Sequence, residues 1–213
     1  PLEKKIISDF ELSKFIVCTD AGLASKENRE FNSKDKRAFI TTQSIKKLKQ
    51  HLKKWALDTE GWRLSGSDEE YDISKLDEMI DKAALEDKGK IRAKVFYKER
   101  WIKENDFEQR LIVTYSIKYR DYQRKIRNTQ IERAQKVIEN NPTKIKKCNA
   151  NDYKRFIKKT SCTPDGEVAD NEIYSIDQAL IYKEEEFDGF YGVCTNLEDD
   201  VSEIIKVNHR RWE

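Results

Sequence analysis

The sequence predicts a mixed α/β fold, on three observations. Short apolar runs rich in β-branched and aromatic residues, typical of strands, alternate with segments whose apolar residues recur at helical spacing. Aromatic residues make up 10% of the 213 residues, and there are only 7 glycines and 3 prolines. Charged residues reach 38%, but disordered chains of similar charge are poor in aromatic residues and rich in chain breakers. We therefore expect a folded, heavily charged chain.

The first two predicted strands are KFIVCTD (14–20) and RAFITT (37–42). The first is an apolar run that ends in Asp20 and is followed by Ala21 and Gly22, a pattern typical of a buried strand that enters a loop. We predict that it lies in the centre of the main sheet with Asp20 at its carboxyl end. The connection to the second strand is too long and polar for a hairpin, so a parallel pair is predicted.

The middle of the chain alternates between the two periods. Helical spacing predicts an amphipathic helix over 45–58 and a second helix over 74–89. The runs KVFYK (94–98) and RLIVTYSI (110–117) are dominated by β-branched and aromatic residues. They are predicted to be strands that pair as a hairpin.

The last third begins with a predicted helix from Tyr119 that ends before Asn141 and Pro142. Two strand-like runs, 172–183 and 189–195, flank the dipeptide Asp188-Gly189, which favours a hairpin turn. A final helix is predicted with Asn196 as its N-cap and acidic residues in its first turn.

The charges are unevenly distributed although the formal net charge is only +2. Residues 118–159 contain 14 basic and 4 acidic side chains, and residues 160–213 contain 4 basic and 14 acidic side chains. We call residues 118–159 the basic block. It is the expected site of polyanion binding, and a solvated helical face is the alternative interpretation. The candidate DNA-binding residues are Arg124, Lys125, Arg127, Lys154, Arg155, Lys158, Lys159 and Arg211.

Several classes of protein are disfavoured. No apolar run approaches the roughly 18 residues that a membrane span needs, and the first residues lack the apolar core of a signal peptide. The 4 cysteines are far apart and the 2 histidines are isolated, so zinc sites, disulfide frameworks and Ser-His-Asp triads are not indicated. We expect a cytoplasmic protein without membrane partners. Because the chain opens on Pro1 and stops within a helical pattern, we also expect a piece of a longer protein.

Asp20 is the first candidate for chemistry. Two-metal phosphoryl-transfer sites collect carboxylates from distant parts of a chain, because metals about 3.5 to 4 Å apart must hold both the attacking and the leaving oxygen. An aspartate at the end of a strand can supply one such ligand. The alternative is that Asp20 only caps or forms a turn.

Three segments carry a resemblance to a known family: TDAGLAS (19–25), FDGFYGVCTNLEDDV (187–201) and VNHRRWE (207–213). Together they resemble bacterial insertion-sequence transposases of the DDE class, which have a ribonuclease-H-like core. In that family the second catalytic aspartate ends a central strand and precedes a small residue and glycine, as Asp20 does. A later strand carries an Asp-Gly, aromatic, Thr-Asn pattern, which residues 188–196 match.

The end of the chain matches the helical motif of this family in part. The motif is Tyr, two residues, Arg, three residues, Glu, usually with Trp directly after the Arg. Arg211 and Trp212 match the Arg-Trp pair, whereas Asn208 stands in the place of Tyr. The motif's Glu would fall two residues beyond Glu213, and the first catalytic Asp would precede Pro1.

The resemblance implies an architecture and an activity. Residues 1–43 would belong to the ribonuclease-H-like core, 44–186 to a large α+β insertion, and 187–213 to the return strand and the start of the Glu-bearing helix. The parent would cut and join DNA at transposon ends and target sites, with Asp20 as a catalytic ligand of Mg²⁺ or Mn²⁺ and a possible homodimer as the working form. Arg211 would reach phosphate or pair with the carboxylates. The isolated chain is expected to be inactive. The alternative is a non-catalytic module for nucleic-acid binding or assembly.

Overall fold

A computed structural model describes residues 15–104, 106–140, 149, 151–162 and 168–210. The described residues belong to two compact units, one within Pro1–Ile117 and Phe190–Glu213 and the other within Lys118–Gly189. The predicted mixed α/β class is confirmed, since helices combine with a sheet that contains both parallel and antiparallel strand pairs.

The first unit is built on a sheet of seven described strands. They are β1 (Phe15–Thr19), β2 (Arg37–Thr42), β3 (Trp62–Leu64), β4 (Glu70–Tyr71), β5 (Phe96–Glu104), β6 (Phe107–Tyr115) and β9 (Phe190–Thr195). Their spatial order is β1-β2-β9-β6-β5-β3-β4. The pair β1·β2 is parallel, as predicted, and the other neighbours are antiparallel.

The helices are distributed over both units. The first unit contains α1 (Lys26–Phe31), α2 (Gln50–Leu57), α3 (Leu76–Lys82), α4 (Leu85–Ala93) and α7 (Val201–His209). The second unit contains nearly all of α5 (Ile117–Asn140), the strands β7 (Ile157–Cys162) and β8 (Val168–Ile176), and α6 (Gln178–Glu185). The strands β7 and β8 form an antiparallel pair.

The main core lies between one face of the large sheet and α7. Alternate residues of the strands, among them Ile40, Ile112 and Val193, pack against Val201 and Ile204 of the helix, and all five are at most 3% exposed. Burial of each such side chain stabilises the fold by roughly 1.5 to 3 kcal/mol. This packing holds α7 against the face of the sheet to which the alternating apolar side chains point.

The second unit has a smaller core of its own. Ala134 of α5, Phe156 and Ile181 of α6 are 0%, 0% and 7% exposed and form one cluster. Partly buried aliphatic and aromatic side chains from α5, α6, β7 and β8 pack around it.

Several sequence-based expectations are wrong. The strand β1 lies at the edge of the described sheet and not at its centre, and Ile16 on it is 36% exposed. The predicted hairpin at Asp188-Gly189 is instead a connection from helix α6 to strand β9, because Asp177 caps α6 by accepting from the Leu180 backbone N at 3.0 Å. The N-cap of α7 is Asp200 and not Asn196.

The predicted helix over 74–89 is also divided in two. A 3₁₀ turn at Ile73–Lys75 leads into α3, and the backbone of Ala83 is extended at ψ 151° before α4 begins at Leu85. The hairpin of β5 and β6 and the helix from 119 to 140 are confirmed, each somewhat longer than predicted. The predicted core and insertion boundaries at 43 and 186 stay a prediction.

Candidate functional site

Asp20 follows directly on the last residue of β1. Its backbone continues the strand at φ −77° and ψ 167°, and a 3₁₀ turn, Ala21–Leu23, comes next. The position at the carboxyl end of a strand, next to the parallel strand β2, agrees with the prediction. The side chain is exposed to solvent, so a ligand has access to it.

The alternation along β1 places Asp20 on the face of the sheet that carries α7. Side chains two residues apart on a strand point to the same face, and Cys18 packs against the cluster that contains Val201 and Ile204 of α7. Asp20 follows Cys18 by two residues and its backbone is still extended, so the alternation predicts its side chain on the same face.

Polar contacts hold the start of α7 in place. Arg110 of β6 donates to the carbonyl oxygens of Leu197 and Asp199 at 3.3 and 2.6 Å, and it also pairs with Glu99. The Asn196 amide oxygen accepts from the Phe39 backbone N at 2.9 Å. The connection between β9 and α7 is therefore anchored to both neighbouring strands of the sheet.

The direction of α7 follows from this short connection. A helix that leaves a strand through a tight turn and packs on the same sheet runs opposite to that strand. The strand β9 is antiparallel to β2, and β1 is parallel to β2. The carboxyl end of α7 is therefore directed toward the end of β1 that bears Asp20.

Asn208 lies on the sheet-facing stripe of α7 near its carboxyl end. Val201, Ile204 and Asn208 are the buried residues of this helix, and Asn208 is 5% exposed. No hydrogen-bond donor among the described residues reaches its amide oxygen. A buried acceptor of this kind is costly unless a donor or cation satisfies it. From the sequence alone, Asn208 stood out only because it takes the place of Tyr in the helical motif of the transposase family.

Asp20 and Asn208 both carry oxygen atoms of the kind that a hard divalent cation binds. Carboxylate and amide oxygens are ligands that Mg²⁺ accepts, and Asp20 and Asn208 supply one of each. Within the described ranges, however, no group of three or more His, Cys, Asp or Glu side chains is arranged to hold a metal ion. A complete metal site would need further ligands from elsewhere.

Two candidate DNA-binding residues of the basic block, the buried Arg127 and the half-exposed Arg124, contact the buried Asp188 carboxylate of the second unit. Arg127 is 5% exposed and donates through both terminal nitrogens to the Asp188 carboxylate, at 2.7 and 2.6 Å. Arg124 also contacts Asp188, at 3.3 Å. The hydrogen bond from Asp188 raises the pKa of Arg127, although desolvation opposes it. Arg127 is thus bound within the protein.

The remaining candidates differ in their partners. Arg155 donates to both oxygens of Glu184 at 2.9 and 3.0 Å and stacks 4.1 Å from the centre of the Phe156 ring. Lys159 pairs with Glu172. Lys125 and Lys158 are exposed and Lys154 is half-buried, whereas Arg211 lies outside the described residues.

The sequence reasoning missed the acidic partners of these cations. It interpreted Asp188 as a turn residue and did not consider Glu184 or Glu185. A signal was available, because the basic excess of 118–159 is followed by an acidic excess in 160–213. Complementary blocks adjacent in sequence indicate internal pairing as well as ligand binding.

No helix in the described part of the chain is both long enough and apolar enough to cross a membrane. No protein-family model, curated protein or solved structure matches the chain.

Proposed function

We propose that the chain is part of a DDE-class transposase that cuts and joins DNA phosphodiesters with divalent metal, and that Asp20 is one of its metal-binding carboxylates. The observation that carries the proposal is the position of Asp20 at the carboxyl end of β1, beside the parallel strand β2, on the sheet face covered by α7. The helix α7 ends at His209, and Arg211 lies outside the described residues.

The topology is compatible with part of a ribonuclease-H-like core. A parallel pair of strands, β1·β2, occupies one side of the sheet, and the strands beyond β2 are antiparallel additions. A helix that packs on the face of Asp20 would bring later residues of the chain toward the same end of the sheet. This is the arrangement that the resemblance requires of the residues after Asn208.

The residues of this chain would bind and orient the reacting groups. Mg²⁺ or Mn²⁺, when bound, would supply Lewis-acid activation and neutralise charge on the phosphate oxygens. Asp20 would contribute a charged oxygen ligand, and the Asn208 amide oxygen would contribute a neutral oxygen at the same end of the sheet. The guanidinium of Arg211 would donate two parallel hydrogen bonds to the phosphate. The basic block would bind the phosphates of the DNA backbone.

The chain Pro1–Glu213 is proposed to be inactive by itself. The resemblance places the other two carboxylates outside it, and a single aspartate with one amide is too small a ligand set for two metals. Metal affinity should therefore be weak.

A strand-cleavage assay on the complete reading frame that encodes this chain tests the proposal. With transposon-end DNA, nicked product should form in Mg²⁺ or Mn²⁺ and not in EDTA. If the complete protein binds DNA but never nicks it under any of these conditions, the proposal is wrong and the chain is a non-catalytic binding or assembly module.

A further inference from the structure

The long helix α5 has two faces of different character. Residues seven apart lie on nearly the same side of a helix, and Arg120, Arg127 and Ala134 are 9%, 5% and 0% exposed. This inner face packs within its unit through the Arg127 pair with Asp188 and the cluster around Ala134.

The opposite face of α5 is basic and exposed. Helical residues advance by about 100° each, and one set of exposed residues falls within an arc of about 80° opposite the inner face. We call this set the outer stripe. Its exposed members are Lys118, Tyr122, Lys125, Thr129, Arg133 and Lys136.

The cations of the outer stripe differ from those of the inner face in having no acidic partner. Among the described residues, no carboxylate lies within ion-pair distance of the four basic side chains of the stripe, whereas Arg127 of the inner face and Arg124 beside it both contact Asp188. The stripe itself contains no acidic residue, and the acidic residues that border it on one side are Asp121, Glu132 and Glu139. With four basic and no acidic side chains, the stripe itself is positively charged.

We propose that the outer stripe of α5 binds the phosphate backbone of double-stranded DNA. The inference rests on the proposed function and assigns DNA affinity to one helix face. From Lys118 to Lys136 the stripe is about 27 Å long, at 1.5 Å per residue, and duplex DNA carries one negative charge per about 1.7 Å of its axis. The hydroxyl of Tyr122, which is 59% exposed, is a further donor to phosphate oxygens.

The composition of the stripe favours a polyanion over a lipid surface. A helix that lies on a membrane exposes its apolar face, but the inner face of α5 is already buried against its own unit. Phosphate contacts carry no sequence information directly, so binding should be salt-dependent and similar for unrelated duplexes.

The test compares two variants of equal charge change by fluorescence anisotropy, with EDTA present so that metal chemistry plays no part. Glutamine has a helix propensity close to that of lysine and arginine, so helical structure should survive, and circular dichroism checks this. The stripe variant carries Lys118→Gln, Lys125→Gln, Arg133→Gln and Lys136→Gln. The control variant carries four exposed changes of the first unit, Lys34→Gln, Lys36→Gln, Lys47→Gln and Lys54→Gln.

The stripe variant should bind two unrelated 30-base-pair duplexes at least about 100-fold more weakly at 0.1 M salt. The slope of log Kobs against log salt should become shallower by about 3 to 4, at about 0.9 per lost contact. The control variant should lose much less. Equal losses in both variants, an unchanged stripe variant, or a wild-type chain that binds anionic phospholipid vesicles but no duplex would overturn the inference. Because the binding assay runs in EDTA and involves no cleavage, a failure of strand cleavage and a failure of the stripe are separate results.

Discussion

The buried pair of Arg127 and Asp188 gives the sharpest prediction about stability. Their side chains are 6% and 4% exposed, and the carboxylate receives two hydrogen bonds of 2.7 and 2.6 Å from the guanidinium. In Asp188→Ala the arginine stays buried with its main partner removed. Loss of one member of such a pair costs about 3 to 5 kcal/mol. Glu185, 3.4 Å from Arg127, should offset a small part of this cost.

Two further variants separate the lost pair from a general loss of packing. Asp188→Asn keeps the shape and one acceptor oxygen and should cost less than Asp188→Ala. Arg127→Met combined with Asp188→Leu removes both charges and should be closer to the wild type than Asp188→Ala, because no uncompensated charge remains. The exposed change Glu186→Ala is the control and should stay within about 0.5 kcal/mol of the wild type.

Native-state hydrogen exchange of peptides within 120–134 measures the effect where it arises, in α5. The opening free energy of these amides should fall in the order wild type, Asp188→Asn, Asp188→Ala. If Asp188→Ala does not accumulate as folded protein, Asp188→Asn still gives a measurable loss. An opening free energy of Asp188→Ala within about 1 kcal/mol of the wild type would refute the structural role of the pair.

Two smaller perturbations test local geometry. Gly192→Ala would place its Cβ 2.7 Å from the Gln43 carbonyl oxygen and should lower the free energy of unfolding, measured in urea, by about 1 to 3 kcal/mol. Gly22→Ala is the control, because there is open space around Gly22, and its effect should be far smaller. Equal effects of the two changes would contradict the close packing of β9 against Gln43. Asp200→Ala removes the N-cap of α7 and should cost about 1 kcal/mol at pH 7. Because the hydrogen bond from Ser202 lowers the pKa of Asp200, this contribution is present above the unfolded pKa of about 3.9 and is lost as the pH falls through the lowered folded value, so the two proteins should converge in stability in acid.

The elements that the sequence predicted well are those with a strong local pattern. The strand β2 has the predicted bounds, Arg37–Thr42, and its parallel pairing with β1 followed from the length of the connection. The edge position of β1 could not be predicted, because an apolar run indicates burial but not how many neighbouring strands supply it. Turn chemistry at Asp188-Gly189 was ambiguous for a similar reason: Gly189 has φ 86°, which suits a hairpin and a helix-to-strand connection equally.

The candidate site was predictable only in part. Asp20 was found because a strand end is a local feature, whereas the orphaned amide of Asn208 depends on how α7 packs. The helical period could have placed Arg120 and Arg127 on one stripe with Ala134, but the partner of Arg127 is 61 residues away. Sequence charge alone therefore could not separate the paired cations of the basic block from those of the outer stripe.

The claim that Asp20 binds the catalytic metal is tested most directly by a ligand exchange. In the complete reading frame, Asp20→Cys should abolish strand nicking in Mg²⁺, which disfavours thiolate, and Mn²⁺ should restore a measurable part of it, while DNA binding stays unchanged. Asp68→Cys, at an exposed position, is the matched control and should be active with either metal. Full activity of Asp20→Cys in Mg²⁺ would contradict the account, and so would a loss of nicking that Mn²⁺ does not relieve.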